Sequence, residues 1–181
     1  SNYVIITNSV ALLNTNAAFS VAFWIRHYTN NNTTTGDPKF VIGKDAVLGG
    51  VNDSRYPGWY VTLDDSALSF SKGTNGLWLR TGYTAGIGDA MWHHYVVTVN
   101  STGTNATQYL DGKLDTAAMI NMDTVVAMAN TNMLMMAWNF DPQTTPSDVF
   151  FCGALDDIRL FNGVLTYDEV RALYRWGKWK G

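Results

Sequence analysis

The chain of 181 residues contains one cysteine and, among its fifteen acidic residues, one glutamate. The single cysteine, Cys152, excludes an internal disulfide and a metal site built from several thiolates. It stands in the sequence VFFCGAL, where we interpret it as a small buried apolar residue. The single glutamate, Glu169, excludes a catalytic pair of glutamates of the kind that many glycoside hydrolases use.

Basic residues are also scarce and scattered, and the net charge is −3. This balance argues against nucleic acid or an anionic membrane as the main partner. No apolar run approaches the length that crosses a bilayer, so we expect no membrane insertion. The length fits one compact domain. We interpret the chain as part of a longer protein, with a module at residues 1–175 and the start of a C-terminal linker at 176–181.

The chain has, instead, many short runs of apolar and β-branched residues separated by Gly, Asn, Asp and Pro. Such runs at near-regular spacing, without alternating helices, predict an all-β sandwich or barrel. The predicted strands are Tyr3–Thr7, Ser20–His27, Lys39–Lys44, Trp59–Leu63, Ala67–Ser71, Leu77–Thr81, His93–Val99, Thr107–Leu110, Met133–Ala137, Val149–Cys152 and Asp156–Phe161.

Side-chain alternation predicts which residues are covered. The run HHYVVTV is apolar on both faces, which is typical of a central strand covered on both sides. Asp111-Gly112, a little further on, has the chemistry of a tight turn with positive φ. Trp24, Trp59 and Trp92 alternate with other apolar residues, and we therefore predict that all three lie in the core.

One short helix is predicted near the C-terminus, in LTYDEVRALYRW. Thr166 is a favourable N-cap, and Glu169 three residues later completes a capping box. Leu165 can pack against Val170, which begins an apolar face with Leu173. The only glutamate of the chain therefore has a structural role.

Four segments, in this order, resemble the laminin-G-like, concanavalin A-like lectin/glucanase jelly roll family. They are FSVAFWIR, GWYVTLDDSALSF, MWHHYVVTV followed by ATQYLDGKL, and FCGALDDIRLFNGVLTYDEVRALY. The resemblance spans almost the whole chain. It implies an all-β, two-sheet antiparallel jelly-roll sandwich with one short C-terminal helix.

The resemblance also bears on catalysis. In this family the Trp-His stretch is a sheet strand whose histidine packs inside, and adjacent His93 and His94 point to opposite faces, so we interpret both as structural. Related glucanases use two glutamates, which this chain cannot supply, and the pairs Asp64-Asp65 and Asp156-Asp157 are adjacent and diverge on a strand. A lyase site from Tyr95, His93 and Arg80 is a weaker alternative, and we predict a module without catalytic residues.

Three long loops separate the predicted strands, at His27–Pro38, Lys44–Gly58 and Ala137–Asp148. Aromatic side chains in a polar loop are typical of carbohydrate sites, where sugar rings stack on them and polar groups bind hydroxyls. The resemblance implies that the second and third loops lie near each other at one end of the sandwich. The predicted carbohydrate-binding residues are Trp138, Asn139, Phe140, Asp141, Arg55 and Tyr56.

The same loops carry oxygen ligands suited to calcium, which prefers six to eight of them. The candidate ligands are Asp53, Asn139, Asp141 and Asp148, which fall near the calcium-binding loop positions of the more distant pentraxins. Asp and Asn also populate loops because they cap turns, so the alternative is a site without metal. Asp156 is a second candidate ligand, or else binds nearby loop amides.

These observations favour a non-catalytic module that recognises a carbohydrate, or a glycosylated surface, through its rim loops. We expect it to belong to a larger secreted or cell-surface protein. The first alternative is a protein–protein interaction or spacer domain, and the second is a polysaccharide lyase or hydrolase.

Overall fold

The structure, a computed structural model, describes residues 4–6, 18–28, 39–44, 58–74, 77–84, 86–115, 120–121, 134–137 and 151–178. These residues form strands and one helix, as the sequence predicts. The strands are β1 (Val4–Ile6), β2 (Phe19–His27), β3 (Lys39–Lys44), β4 (Gly58–Asp64), β5 (Ala67–Thr74), β6 (Leu77–Arg80), β7 (Trp92–Val99), β8 (Asn105–Leu110), β9 (Lys113–Leu114), β10 (Ile120–Asn121), β11 (Leu134–Met136) and β12 (Gly153–Phe161), and the helix is α1 (Tyr167–Lys178).

The strands form two antiparallel sheets. Sheet A has the order β1-β11-β3-β4-β5-β6, and sheet B has the order β10-β8-β7-β2-β12 with β9 paired to β8. Strands far apart in sequence are neighbours in both sheets, which is the crossing connectivity of a jelly roll. The predicted all-β sandwich with a C-terminal helix is therefore confirmed.

The core lies between the inner faces of the two sheets. Trp59 of sheet A is fully buried, with its ring centroid 5.4 Å from that of Phe19 in sheet B. In β7, Tyr95 and Val97 belong to this core, while Val96 packs on the opposite face under the helix. The prediction that β7 is a central strand covered on both sides is confirmed, because it lies between β2 and β8.

Helix α1 covers part of the outer face of sheet B. Val170 packs on the pair formed by Ala22 and Val96, and Tyr174 stacks on Trp24 with ring centroids 5.7 Å apart. Near the end of the helix, Gly177 contacts Trp24 so closely that a Cβ atom would overlap the indole nitrogen. The helix therefore covers the part of this face that contains Ala22 and Trp24.

The helix begins as predicted. The backbone N–H and the hydroxyl of Thr166 both donate to the Glu169 carboxylate, at 2.7 and 2.8 Å, and the Glu169 N–H donates back to the Thr166 hydroxyl at 3.4 Å. Leu165 packs in the same cluster as Val170. The helix continues to Lys178, past the predicted linker boundary at residue 175. No helix within the described ranges is long and apolar enough to cross a membrane.

The two ends of the sandwich are formed by different strand termini. At the Trp92 end, β2 ends at His27, β7 begins at Trp92 and β3 begins at Lys39. At the opposite, Trp59 end, the pairing of Trp59 with Lys44 and Lys72 lies next to Phe19, the first residue of β2. Each long loop can be placed by the end at which its anchoring strands stop.

Strand β12 differs from the prediction. It begins at Gly153, and neither Phe151 nor Cys152 belongs to a strand. A bulge between Asp156 and Arg159 places Asp157 at a φ of 47°, where its carboxylate accepts two hydrogen bonds from Arg159. Because the bulge breaks the alternation, the simple expectation of opposite faces for the two aspartates does not describe this segment.

Candidate functional site

The predicted carbohydrate and calcium residues lie outside the described residues and stay predictions. They are Trp138, Asn139, Phe140, Asp141, Arg55, Tyr56, Asp53 and Asp148. The residues that anchor their loops are described, however. Ala137 and Phe151 bound one loop, and Lys44 and Gly58 bound the other.

These anchors lie at opposite ends of the sandwich. The Ala137 N–H donates to the Val41 carbonyl at 2.9 Å, so the chain leaves β11 toward the Trp92 end. It returns there as well, because the Tyr28 N–H donates to the Cys152 carbonyl at 2.9 Å. Lys44, by contrast, pairs with Trp59 at the other end. The expectation that both loops start from one end is therefore wrong, and we treat them as two separate candidate sites.

At the Trp92 end, four described residues bring aromatic, cationic and apolar side chains together, and we call Arg26, Tyr28, Met91 and Trp92 the Trp92 surface. Arg26 and Trp92 are paired across β2 and β7. The Arg26 Nε donates to the Ala90 carbonyl at 2.7 Å, and its guanidinium lies 5.2 Å from the centre of the Tyr28 ring. Arg26 therefore holds the chain before Trp92 against the end of β2.

The side chains of the Trp92 surface are open to solvent: Trp92 and Tyr28 are each 40% exposed and Met91 is 63% exposed. The prediction that Trp92 lies in the core is wrong. Its side chain is on the outer face of sheet B, one row beyond the pair of Trp24 and His94 that the helix covers. The other two predicted core tryptophans are covered, Trp59 between the sheets and Trp24 beneath the helix.

Tyr28, the residue that follows β2, was missed by sequence reasoning. It carries no periodic signal, since it lies where a strand becomes a loop. Its contact with Cys152 places it beside the returning end of the loop that contains Trp138. Cys152 itself is half-buried rather than buried, so the expectation of a plain core residue is only partly right.

His93 and His94 have separate structural roles. His93 lies between two carboxylates, with Nε2 2.9 Å from Asp89 Oδ1 and Nδ1 2.9 Å from Asp111 Oδ2. Burial lowers the pKa of His93, but its hydrogen bonds to the Asp89 and Asp111 carboxylates outweigh this effect, and the net pKa is raised. Burial against Trp24 and Tyr174 lowers the pKa of His94 to about 4. The two rings do not converge, as the sequence predicts.

Metal and lyase chemistry can be tested at the described positions. In the described part of the chain, no three His, Cys, Asp or Glu side chains come together as a metal site. Asp156 Oδ1 accepts the N–H of the next residue, Asp157, at 2.7 Å, a contact within the bulge of β12. Tyr95 is fully buried, hydrogen-bonds to Gln108, and has a pKa well above its ordinary value because of burial. It therefore cannot reach a substrate together with His93 and Arg80.

Comparison with known proteins supports the fold. A laminin G family model described as the "Concanavalin A-like lectin/glucanases superfamily" matches residues 1–171. A search of the curated proteins found no match.

Among solved structures, similar chains come from botulinum neurotoxins. The binding domain of serotype C1 has a TM-score of 0.70 at 19% identity, with 96% of this chain and 40% of that chain covered. A structure of botulinum neurotoxin type C, described as dependent on interaction with two ganglioside molecules for cell entry, has a TM-score of 0.68 at 18% identity, with 96% of this chain and 39% of that chain covered. The binding domain of neurotoxin DC in complex with rat synaptotagmin II has a TM-score of 0.61 at 19% identity, covering 89% and 36%.

Proposed function

Because this chain belongs to the concanavalin A-like lectin/glucanase superfamily, we propose that it is a non-catalytic carbohydrate-binding module of a larger secreted or surface-exposed protein. In this proposal the glycan binds at the Trp92 end, on the Trp92 surface and on residues Trp138–Asp141 of the loop whose anchors lie at that end. The observation that carries the proposal is the exposure of Trp92 on the outer face of sheet B. It lies at the same end of the sandwich as Ala137 and Cys152, which anchor the loop that contains Trp138.

The chemistry of the Trp92 surface fits a sugar. Carbohydrate rings stack their CH faces on aromatic side chains, and Trp92 and Tyr28 offer two such rings within one patch. Trp92 is the first residue of β7 and Tyr28 directly follows β2, so little conformational freedom is lost on binding. Arg26 adds hydrogen-bond donors beside the rings.

The loop from Ala137 to Phe151 extends this surface in the proposal. Trp138 and Phe140 add aromatic area, while Asn139 and Asp141 bind hydroxyl groups. Calcium, if it serves this module, is held by Asn139, Asp141 and Asp148 of the same loop. Asp53, with Arg55 and Tyr56, belongs to the loop anchored at the opposite end, and we propose it as a separate contact region.

Structural neighbours support binding as the general role without deciding the partner. One neighbour is described with gangliosides, which carry sugars, and another is in complex with synaptotagmin, a protein. This chain spans two-fifths or less of those chains. A protein partner is the second candidate function, and the exposed Met91 favours it because Met is enriched at protein interfaces.

A glycan array with and without calcium tests the proposal, followed by titration of the best glycan. We expect Trp92→Ala to weaken binding at least about tenfold, the scale of a central aromatic contact. Trp92→Phe should retain much of the affinity. Trp138→Ala should weaken binding without unfolding the domain, and a calcium requirement on the array would support the ion site.

The matched control is Trp176→Ala, which removes an exposed tryptophan from the helix. Equal affinity of the Trp92→Ala variant and the unaltered protein, with both folded by circular dichroism, would contradict the proposed surface. Absence of any glycan on the array, together with capture of a defined protein partner that Trp92→Ala abolishes, would favour the second candidate.

A further inference from the structure

A cleft of about 370 Å³ opens between helix α1 and the turn that joins β8 to β9. The turn is Asp111-Gly112, with φ values of 52° and 71°, as the sequence predicts. A Cβ atom on Gly112 would lie 2.9 Å from the Tyr174 ring, so the turn approaches the helix as closely as a residue without a side chain allows. The cleft is thus a fixed feature of the packing between helix and sheet.

The cleft concentrates positive charge in a chain whose net charge is −3. Lys113, Arg171 and Arg175 line it. Lys113 and Arg175 form no ion pair with another described residue. Arg171 has a loose ion pair, with 3.9 Å between its guanidinium and the nearly fully exposed Asp168 carboxylate, and its guanidinium lies 5.5 Å from the centre of the Tyr167 ring. Solvent-exposed pairs of this length contribute little, so the three cations are available to a ligand.

The carboxylate that lines the cleft is already engaged. Asp111 Oδ1 accepts the His94 N–H at 2.9 Å, and its Oδ2 lies 2.9 Å from His93 Nδ1. Asp111 keeps its negative charge, but it is the one carboxylate in a lining that also holds Lys113, Arg171 and Arg175, so the balance of charge is positive. The remaining field favours an anion.

Two tyrosines supply the apolar part of the cleft. The Tyr167 ring stacks on Tyr109, with centroids 6.2 Å apart and planes 25° apart, and Tyr174 stacks on Trp24. Each ring is therefore supported from behind by another aromatic ring and keeps a fixed orientation. A flat aromatic wall beside guanidinium groups matches a ring-shaped ligand that carries an acidic group.

We propose that this cleft binds an anionic sugar residue, with its ring against the tyrosines and its carboxylate or sulfate on Arg171, Arg175 and Lys113. The site adjoins the Trp92 surface, because Tyr174 lies on the Trp24 row and Trp92 is one row further, about 7 Å along the strand. The proposal rests on the proposed function only in taking the ligand to be a carbohydrate.

The test compares three oligosaccharides of equal length by calorimetric titration: a neutral one, a uronic acid one and a sulfated one. We expect the acidic sugars to bind at least about fivefold more tightly than the neutral one at low salt, and less so at high salt. The difference between the uronic acid and the sulfated sugar identifies the preferred acidic group. The double variant Arg171→Gln/Arg175→Gln should remove the preference, so that the acidic sugars bind no more tightly than the neutral one.

The control is Arg80→Gln, which removes one positive charge from β6 of sheet A, outside the residues that line the cleft, and should keep the preference. Equal affinity for neutral and acidic sugars would overturn this inference while leaving the proposed function intact. A preference that survives in the double variant, with helix content unchanged by circular dichroism, would also overturn it. Trp92→Ala separates the two proposals, since it should weaken binding of all three sugars.

Discussion

Trp59 and Trp92 lie at opposite ends of one sandwich and have opposite surroundings. Trp59 faces the second sheet, where its ring lies 5.4 Å from Phe19 and 6.4 Å from Phe70, and no part of it reaches solvent. Trp92 faces outward and keeps two-fifths of its surface exposed. A tryptophan is therefore buried in the core at one end and exposed to solvent at the other.

The two tryptophans mark how far alternation along a strand can predict burial. Alternation decides the face on which a side chain lies, but the prediction of a core position made from it holds for Trp59 and fails for Trp92. Whether that face is covered depends on a distant element, since helix α1 covers the Trp24 row of sheet B and Trp92 lies one row further along the strand. Burial is therefore a tertiary property, which a local pattern does not contain.

Replacing each tryptophan by alanine gives the largest expected contrast. Trp59→Ala should lower the free energy of unfolding by about 3–5 kcal/mol, because it leaves a cavity in the core. Trp92→Ala should lower it by less than about 1 kcal/mol, as for a partly exposed side chain. Urea denaturation of the two variants measures both values, and similar losses would remove the contrast between the ends.

Alkaline pH should act on the Trp59 end. Burial lowers the pKa of Lys72, which pairs with Trp59, from 10.5 to about 8, and its ammonium group donates to the Gly103 carbonyl. Between these pH values the unfolded chain binds more protons, so the free energy of unfolding should rise with pH, by about 1–3 kcal/mol.

Lys72→Met should largely remove this rise, whereas Lys113→Met, at an exposed position, should keep it. Unfolding curves from about pH 7.5 to about pH 10.5, a range that brackets the folded and unfolded pKa values of Lys72, measure the effect. A rise of the same size in both variants would show that Lys72 is not its source.

Near neutral pH a smaller effect should arise at the Trp92 end. The pKa of His93 is raised, so the stabilisation from its carboxylate partners is fully present below the unfolded value of 6.5 and is lost as pH rises through the folded value. The neighbouring His94, with a pKa lowered to about 4, is neutral in both states above 6.5 and does not contribute there.

In the His93→Gln variant, the free energy of unfolding should therefore change less with pH just above pH 6.5 than in the unaltered protein. The difference should be less than about 1 kcal/mol because the pairs are near the surface. Asp89→Asn, which removes one partner, should flatten it in part. If the stability profile of the His93 variant matches that of the unaltered protein, the contacts of His93 with Asp89 and Asp111 do not stabilise this end of the sandwich.

The strands and the helix were largely predictable because their signals are local. The boundaries of β3 match the prediction at both residues, and the capping box of Thr166 and Glu169 forms as the sequence indicates. The bulge at Asp156 and the early start of β12 were not predictable, since a bulge depends on how two strands twist together. Strand order likewise depends on pairings far apart in the sequence.

The candidate binding surface was less predictable than the fold. The loop aromatics at Trp138 and Phe140 stand out in the sequence because they interrupt a polar stretch, and their role stays a prediction. Tyr28 and Trp92 had no such signal, because a strand end looks the same whether or not another element covers it. The cleft at Gly112 arises from the packing of a turn against Tyr174, which are far apart in the chain.

Gly177 lets helix α1 pack closely on Trp24 and so affects how much of the outer face of sheet B the helix covers. Because any side chain there would collide with the Trp24 indole, an alanine at this position would push the last helical turn outward and uncover another row of the sheet. The length of ligand that the domain can accommodate would then change through a single residue, while the sandwich beneath stayed the same. Selection acting on one codon could in this way adjust specificity without disturbing folding.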